Sequence, residues 1–128
     1  ESGNIYITTL NNFNIANIKN SFGDVSLNDS SSTKFNIDSS TGNTHINDLN
    51  NNSIESISCK ITTGNINAKN INASKLISLE ARFGNIYADI SDKKDNYSSS
   101  ENTYYSKSGS KIILIKTEHG DTRTNFIN

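Results

Sequence analysis

Thr63-Gly64-Asn65-Ile66-Asn67 is the stretch on which the reading of this chain turns, because close copies of it recur from one end to the other. Gly-Asn or Gly-Asp followed by an apolar residue stands at Gly3-Asn4-Ile5, Gly23-Asp24-Val25, Gly64-Asn65-Ile66 and Gly84-Asn85-Ile86. Gly42-Asn43-Thr44 and Gly120-Asp121-Thr122 repeat it with Thr in the apolar slot. The steps between these glycines are 20, 19, 22, 20 and 36 residues. A steady period near 20 residues marks a repeat architecture, whose units are each too small to bury a hydrophobic face alone.

Counting from each glycine turns the chain into columns. Two positions on are Ile5, Val25, Thr44, Ile66, Ile86 and Thr122, and four on are Ile7, Leu27, Ile46, Ala68, Ala88 and Thr124. Between them lie Tyr6, Ser26, His45, Asn67, Tyr87 and Arg123, so apolar and polar positions alternate as in a half-buried strand. Before the glycine the same alternation puts Ala16, Phe35, Ile57, Ile77 and Ile113 seven back, and Ile18, Ile37, Cys59, Leu79 and Ile115 five back. Each repeat therefore reads as two strands joined at a glycine corner. Gly reaches positive φ there without steric cost, and the following Asn or Asp tolerates a turn and can stack in a ladder.

The rest of each turn is looser. Leu10 to Ile15, Leu49 to Ile54 and Ile71 to Leu76 carry apolar residues while Ser30 to Lys34 does not, which predicts a third, irregular side with short strands. Four before each glycine, Lys19, Asp38, Lys60, Glu80 and Lys116 alternate in sign, as outward residues stacked about 4.8 Å apart would. Arg82 and Glu118, both two before their glycine, supply another such pair. The pattern predicts an all-β fold, a single-stranded β-solenoid of about six rungs of roughly 20 residues, its inward residues stacked into one continuous core. Residues 1–128 form a single domain, and the long last step places an inserted polar loop, mobile and on the surface, at about 92–109.

Composition narrows the function classes. The formal net charge is -1, with no basic stripe of the kind that binds nucleic acid. No run approaches the roughly 18 apolar residues of a membrane span. The chain opens on Glu1-Ser2-Gly3 without Met and inside a repeat, which reads as a mature or trimmed fragment. The single Cys59 rules out an internal disulfide framework. Sequons at Asn28, Asn51, Asn72 and Asn96 are no more than a chain this rich in Asn, Ser and Thr carries by chance.

The Ser/Thr-Gly-Asn-Ile and Phe-Gly-Asp/Asn-Val/Ile strings, with about 20 residues between them, resemble the adhesin-like, head-GIN-like domains of unknown function. The resemblance covers nearly the whole chain outside the 92–109 insertion. It implies a right-handed, single-stranded β-solenoid in proteins named adhesins largely by analogy, with no catalytic residues to carry over. Relatives of this kind include eukaryotic and organellar ones, so the resemblance leaves the compartment open, with a cell-surface or extracytoplasmic setting favoured and an organellar one as the alternative.

Candidate sites are few. His45 and His119 stand about four rungs apart and Cys59 points inward, so no metal site is expected, nor any cofactor. Asp24, Asp29 and Asp48 could pair as acid and base of a polysaccharide-active β-helix enzyme, though no aromatic platform accompanies them. Tyr6 and Tyr87 share an outward column with His45 and Arg123, and Tyr97, Tyr104 and Tyr105 crowd the insertion, where exposed aromatics could anchor a partner. The resulting expectation is a non-catalytic scaffold or interaction module binding protein or glycan, with glycines 3, 23, 42, 64, 84 and 120 as structural corners. The alternatives are the polysaccharide-active enzyme and a structural subunit of a larger assembly. Open end rungs, Glu1 to Gly3 at one end and Phe126-Ile127-Asn128 at the other, predict end-to-end contacts through covering sequence or a partner.

Overall fold

The structure, a computed structural model, describes residues 3–8, 11–93, 97–100 and 103–127. Leu10 and the sequon at Asn96 therefore lie outside the described residues. Alternating inward and outward residues on either side of each glycine fold into paired strands. The strands that follow the glycines are β1 (Ile5–Thr8), β3 (Val25–Asn28), β5 (Thr44–Asn47), β7 (Ile66–Ile71), β9 (Ile86–Ile90) and β13 (Thr122–Phe126). They form one six-stranded sheet in the order β1-β3-β5-β7-β9-β13, parallel throughout. The strands that precede the glycines are β2 (Asn11–Phe22), β4 (Ser31–Thr41), β6 (Ser56–Thr63), β8 (Leu76–Phe83) and β12 (Ile112–His119), also parallel to one another. Stacked parallel strands thus build a β-solenoid, and no helix occurs among the described residues. Among the described residues no helix is long and apolar enough to cross a membrane.

The glycine corner is fixed twice over. Gly64 sits at φ 140°, a conformation that side chains rarely adopt. A Cβ there would stand 1.8 Å from the carbonyl oxygen of Gly42 on the preceding rung. The same clash recurs at Gly23, Gly42, Gly84 and Gly120, so the glycines stack directly on one another's backbone. The residue after each glycine supplies an oxygen to the rung that follows. Asn4 Oδ1 accepts from the Asp24 amide at 2.8 Å, Asp24 Oδ1 from Asn43 at 2.8 Å, Asn43 Oδ1 from Asn65 at 2.9 Å, and Asn65 Oδ1 from Asn85 at 2.8 Å. Asn85 Oδ1 completes the series by accepting from Asp121 at 2.9 Å. Only an acceptor at Oδ1 is required, which is why Asn and Asp alternate freely at this position. The ladder expected of side chain on side chain is here one of side chain on backbone.

A second corner lies six residues after the glycine. Asp29, Asp48 and Asn70 occupy the left-handed region there, at φ 43°, 59° and 54°. Asp and Asn are the non-glycine residues that enter this region most readily. Asn70 Nδ2 donates to Asp48 Oδ1 at 2.9 Å, tying one rung to the next.

Inward columns become the core. Val25, Leu27, Phe35, Ile46, Ile57, Ile66, Ile77, Leu79, Ile86, Ile113 and Ile115 are all fully buried. Each contributes about 1.5–3 kcal/mol through the surface it removes from water. A further inward column, three before the glycine, runs Asn20, Ser39, Ile61, Ala81 and Thr117, of which the first four are buried. Its mixed chemistry hides it from a hydrophobicity pattern. Burial pushes the Cys59 thiol up to about 12, with the Thr44 hydroxyl opposing and Asp38 reinforcing the shift. The outward charges keep the predicted register: Lys19 pairs with Asp38, Asp38 with Lys60, Lys60 with Glu80, and Glu80 with Lys116.

Two expectations are corrected. Among the described residues the irregular side carries no short strands of a third sheet. β2 and β4 extend back into it on the first rungs, and on later rungs bends bury Leu49, Ile54 and Ala73. The insertion is not a loop over its whole length. It contains β10 (Tyr97–Ser100) and β11 (Thr103–Ser106), which pair antiparallel with each other and, through β11, with β12. The second sheet thereby reaches seven strands in the order β10-β11-β12-β8-β6-β4-β2. Tyr and Thr favour strands, and the outer edge of β12 offers unpaired backbone groups to receive one.

Candidate binding site at the inserted hairpin

Where the hairpin leaves and rejoins the solenoid, a lysine is drawn inside. Lys111 is 7% exposed, held as the chain enters β12 on the last rung. Its ammonium donates to Asp92 Oδ2 at 2.9 Å and to Asn72 Oδ1, and it lies 5.6 Å from the centre of the Tyr97 ring. The Tyr97 hydroxyl donates to the same Asp92 oxygen at 2.5 Å, while the Lys93 amide donates to Asp92 Oδ1 at 2.8 Å. Asn72 is fixed in turn, its Nδ2 donating to the Ser91 carbonyl and its Oδ1 accepting from the Ala73 amide, both at 2.9 Å. A buried charge is tolerated when it is paired and hydrogen-bonded, as Lys111 is with Asp92 and Asn72.

The network sets the protonation of its members. Burial alone would raise the Asp92 carboxyl, but hydrogen bonds from Tyr97, Lys111 and the Lys93 amide, with the lysine's charge, outweigh it and hold the group below its ordinary value. Tyr97 moves the opposite way: burial, then its bond to Asp92 and the carboxylate's charge, keep its hydroxyl protonated well beyond the usual range. Two clefts flank the network. One of about 290 Å³ opens between the bend at Asn50 to Ile54 and residues Asn72 to Ser74. The other, about 320 Å³, opens between Tyr97 and the turn from Ser106 to Lys111. Both are bounded by Ser74, Asp92 and Lys111, so they adjoin across the ion pair.

The residues singled out from the sequence fall in different places. Tyr6, Ser26, His45, Asn67, Tyr87 and Arg123 do form one outer row, each in register with the next. Tyr6 is 71% exposed and Tyr87 42%. Tyr97 and Tyr104 are turned inward against Phe126, with ring centres 5.3 Å and 5.2 Å from it, and both pack on the core. Only Tyr105 of the three faces solvent. Asp24 belongs to the glycine-corner ladder, and Asp29 and Asp48 are the left-handed residues of the second corner. His119 stacks on Phe83 at 4.9 Å, beside the Arg82–Glu118 ion pair at 3.4 Å that the sequence spacing predicted. Among the described residues no three His, Cys, Asp or Glu side chains gather as metal ligands would. Asp92 and Lys111 carry no signal in the sequence, and Asn72 only that of a sequon, because Lys111 occupies the slot that Lys75 fills in the previous rung, where it is exposed.

The model of the family described as Toastrack DUF4097 matches residues 1–110 of the chain. The chain belongs to this family. A Toastrack domain is a domain of unknown function, and the β-solenoid matches what the sequence resemblance implied, while the adhesin and head-GIN names form no part of the family's description. Within the Toastrack match lie Asn72, Asp92 and Tyr97, whereas Lys111, β12 and β13 follow it. No curated protein and no solved structure matches the chain.

Proposed function

We propose that this Toastrack domain is a non-catalytic β-solenoid scaffold, adhesin-like, that recognises a protein or glycan partner. The observation that carries the reading is where the functional-looking side chains are spent. The carboxylates that could have served a polysaccharide-active enzyme, Asp24, Asp29 and Asp48, are engaged in or shaped by the two corners. Left over are an outer row with Tyr6 and Tyr87 and the clefted junction at the hairpin, both suited to recognition. The outermost strands β1 and β2 favour the end-to-end contact of a structural subunit as a second reading. A pull-down and glycan-array comparison of the intact chain with a Tyr6→Ala/Tyr87→Ala variant and with a variant altered at the hairpin junction tests the proposal. Binding that either variant weakens supports it. Hydrolysis of a polysaccharide by the intact chain, abolished by Asp29→Asn or Asp48→Asn, contradicts it.

A further inference from the structure

We infer that the two clefts meeting at Lys111 form one site for a neutral polyhydroxylated ligand, a short stretch of glycan. The inference deepens the recognition reading above by naming a place and a ligand chemistry. Apart from Lys107 and the Lys111–Asp92 ion pair, the polar side chains lining the clefts are amides and hydroxyls: Asn50, Asn51 and Asn52 on one side, Ser106, Ser108 and Ser110 on the other. Each sugar hydroxyl both donates and accepts, and Asn and Ser are side chains that can answer in both senses. At the first cleft apolar groups contribute little, since Ile54 and Ala73 are themselves buried, while Tyr97 borders the second. Ligand pockets for apolar molecules have the opposite lining.

Among the residues lining the first cleft the only charges are Lys111 and Asp92, paired at 2.9 Å, so an anionic ligand there would meet a cation already compensated, while the exposed Lys107 stands at the second cleft alone. An ammonium has three donors, and two of those on Lys111 are taken by Asn72 and Asp92. The framework is fixed before any ligand arrives: Asn51 Oδ1 accepts from both the amide and the hydroxyl of Ser53 at 2.9 Å, and Asn50 Nδ2 donates to Asn70 Oδ1 at 3.2 Å. Preorganisation of this kind lowers the entropy cost of binding. At about 290 Å³ and 320 Å³, each cleft is near the lower bound of ligand pockets and takes one sugar-sized unit, the pair a short oligosaccharide.

The test presents the full chain to an array of neutral oligosaccharides, follows each hit by titration, and maps the bound surface by amide shifts in NMR. Asn52→Ala and Ser108→Ala alter exposed cleft residues outside the buried network, so the fold is left intact. Each is expected to weaken oligosaccharide binding roughly tenfold. Shifts are expected in residues 50–54, 72–75 and 106–111. Binding that survives both substitutions but falls with Tyr6→Ala/Tyr87→Ala overturns this site and leaves the recognition reading standing. An array without a single neutral hit overturns the glycan inference, and a purified protein partner that binds the same chain then keeps the recognition reading alive by itself.

Discussion

At the N-terminal end of the solenoid the outermost strands are β1 and β2, and the inward residues of β1 are the half-buried Ile5 and Ile7. At the C-terminal end the inward residues of β13 are Thr122, Thr124 and Phe126, and the second sheet runs on past β12 into an antiparallel hairpin whose Tyr97 and Tyr104 cover Phe126. The first and the last described rungs thus differ. One end shows apolar inward residues and two parallel edges, with no described residue stacked beyond Gly3, where a Cβ would meet nothing within 4 Å. The other swaps apolar groups for threonine and turns the direction of pairing, which denies a further parallel strand the Ile112 to Leu114 part of its edge. Open edges template association and covered ones do not. The difference teaches that in a stack a residue's role depends on whether another rung lies beyond it.

Glycine substitutions break that comparison with the largest effect. Gly64→Ala meets both a φ of 140° and a carbonyl 1.8 Å away, and is expected to cost upwards of about 4 kcal/mol or to prevent folding. Gly3→Ala meets the φ requirement alone and should cost about 1–3 kcal/mol in urea denaturation. Equal costs would mean that the stack is not what constrains the corner.

Next in size is the cap. Tyr104→Ala is expected to destabilise by about 2 kcal/mol, somewhat below a fully buried aromatic, and to give concentration-dependent association in sedimentation velocity. Tyr6→Ala, at a residue 71% exposed, should stay within about 0.5 kcal/mol and remain as dispersed as the parent.

The latch beneath the cap titrates. Because the folded Asp92 carboxyl lies below its ordinary value, its contribution to stability is complete above the unfolded value of about 3.9 and is lost as pH falls through the lower folded value. Asp92→Asn should flatten that acid limb of stability against pH. Lys111→Met, which leaves the carboxylate without its cation, should cost about 1–2 kcal/mol at neutral pH.

The smallest effect sharpens the middle of the stack against its ends. Lys60→Glu would set three carboxylates in a row with Asp38 and Glu80 and should cost about 0.5 kcal/mol, relieved by added salt. A like reversal at Lys19, which has one charged neighbour in the column rather than two, should cost about half as much.

Much of the fold was legible because a solenoid writes its geometry into columns. Glycine corners, the inward residues two and four after them, and the pairing of Arg82 with Glu118 all follow from the spacing alone. What escaped were features without periodicity. The column from Asn20 to Thr117 mixes amide, hydroxyl and alkyl groups, so alternation could not reveal it. The hairpin repeats nothing elsewhere in the chain, and its two strands exist because β12 gives β11 an edge. Lys75 meets Glu55 at the surface, whereas Lys111 is buried against Asp92 and Asn72, contacts set by tertiary structure. A hint did exist in the insertion. Thr103-Tyr104-Tyr105 is rich in strand-favouring residues, and at the second corner Asp29, Asp48 and Asn70 are the residue types that accept a left-handed turn.

The most direct test of the capped stack is amide hydrogen exchange resolved to single residues. The structure predicts strong protection through β6 and β8, intermediate protection at Thr103 to Tyr105 where β11 pairs with β12, and faster exchange along β1. Exchange of residues 103–105 at the rate of an unfolded chain, with β12 no better protected than β1, would contradict the account.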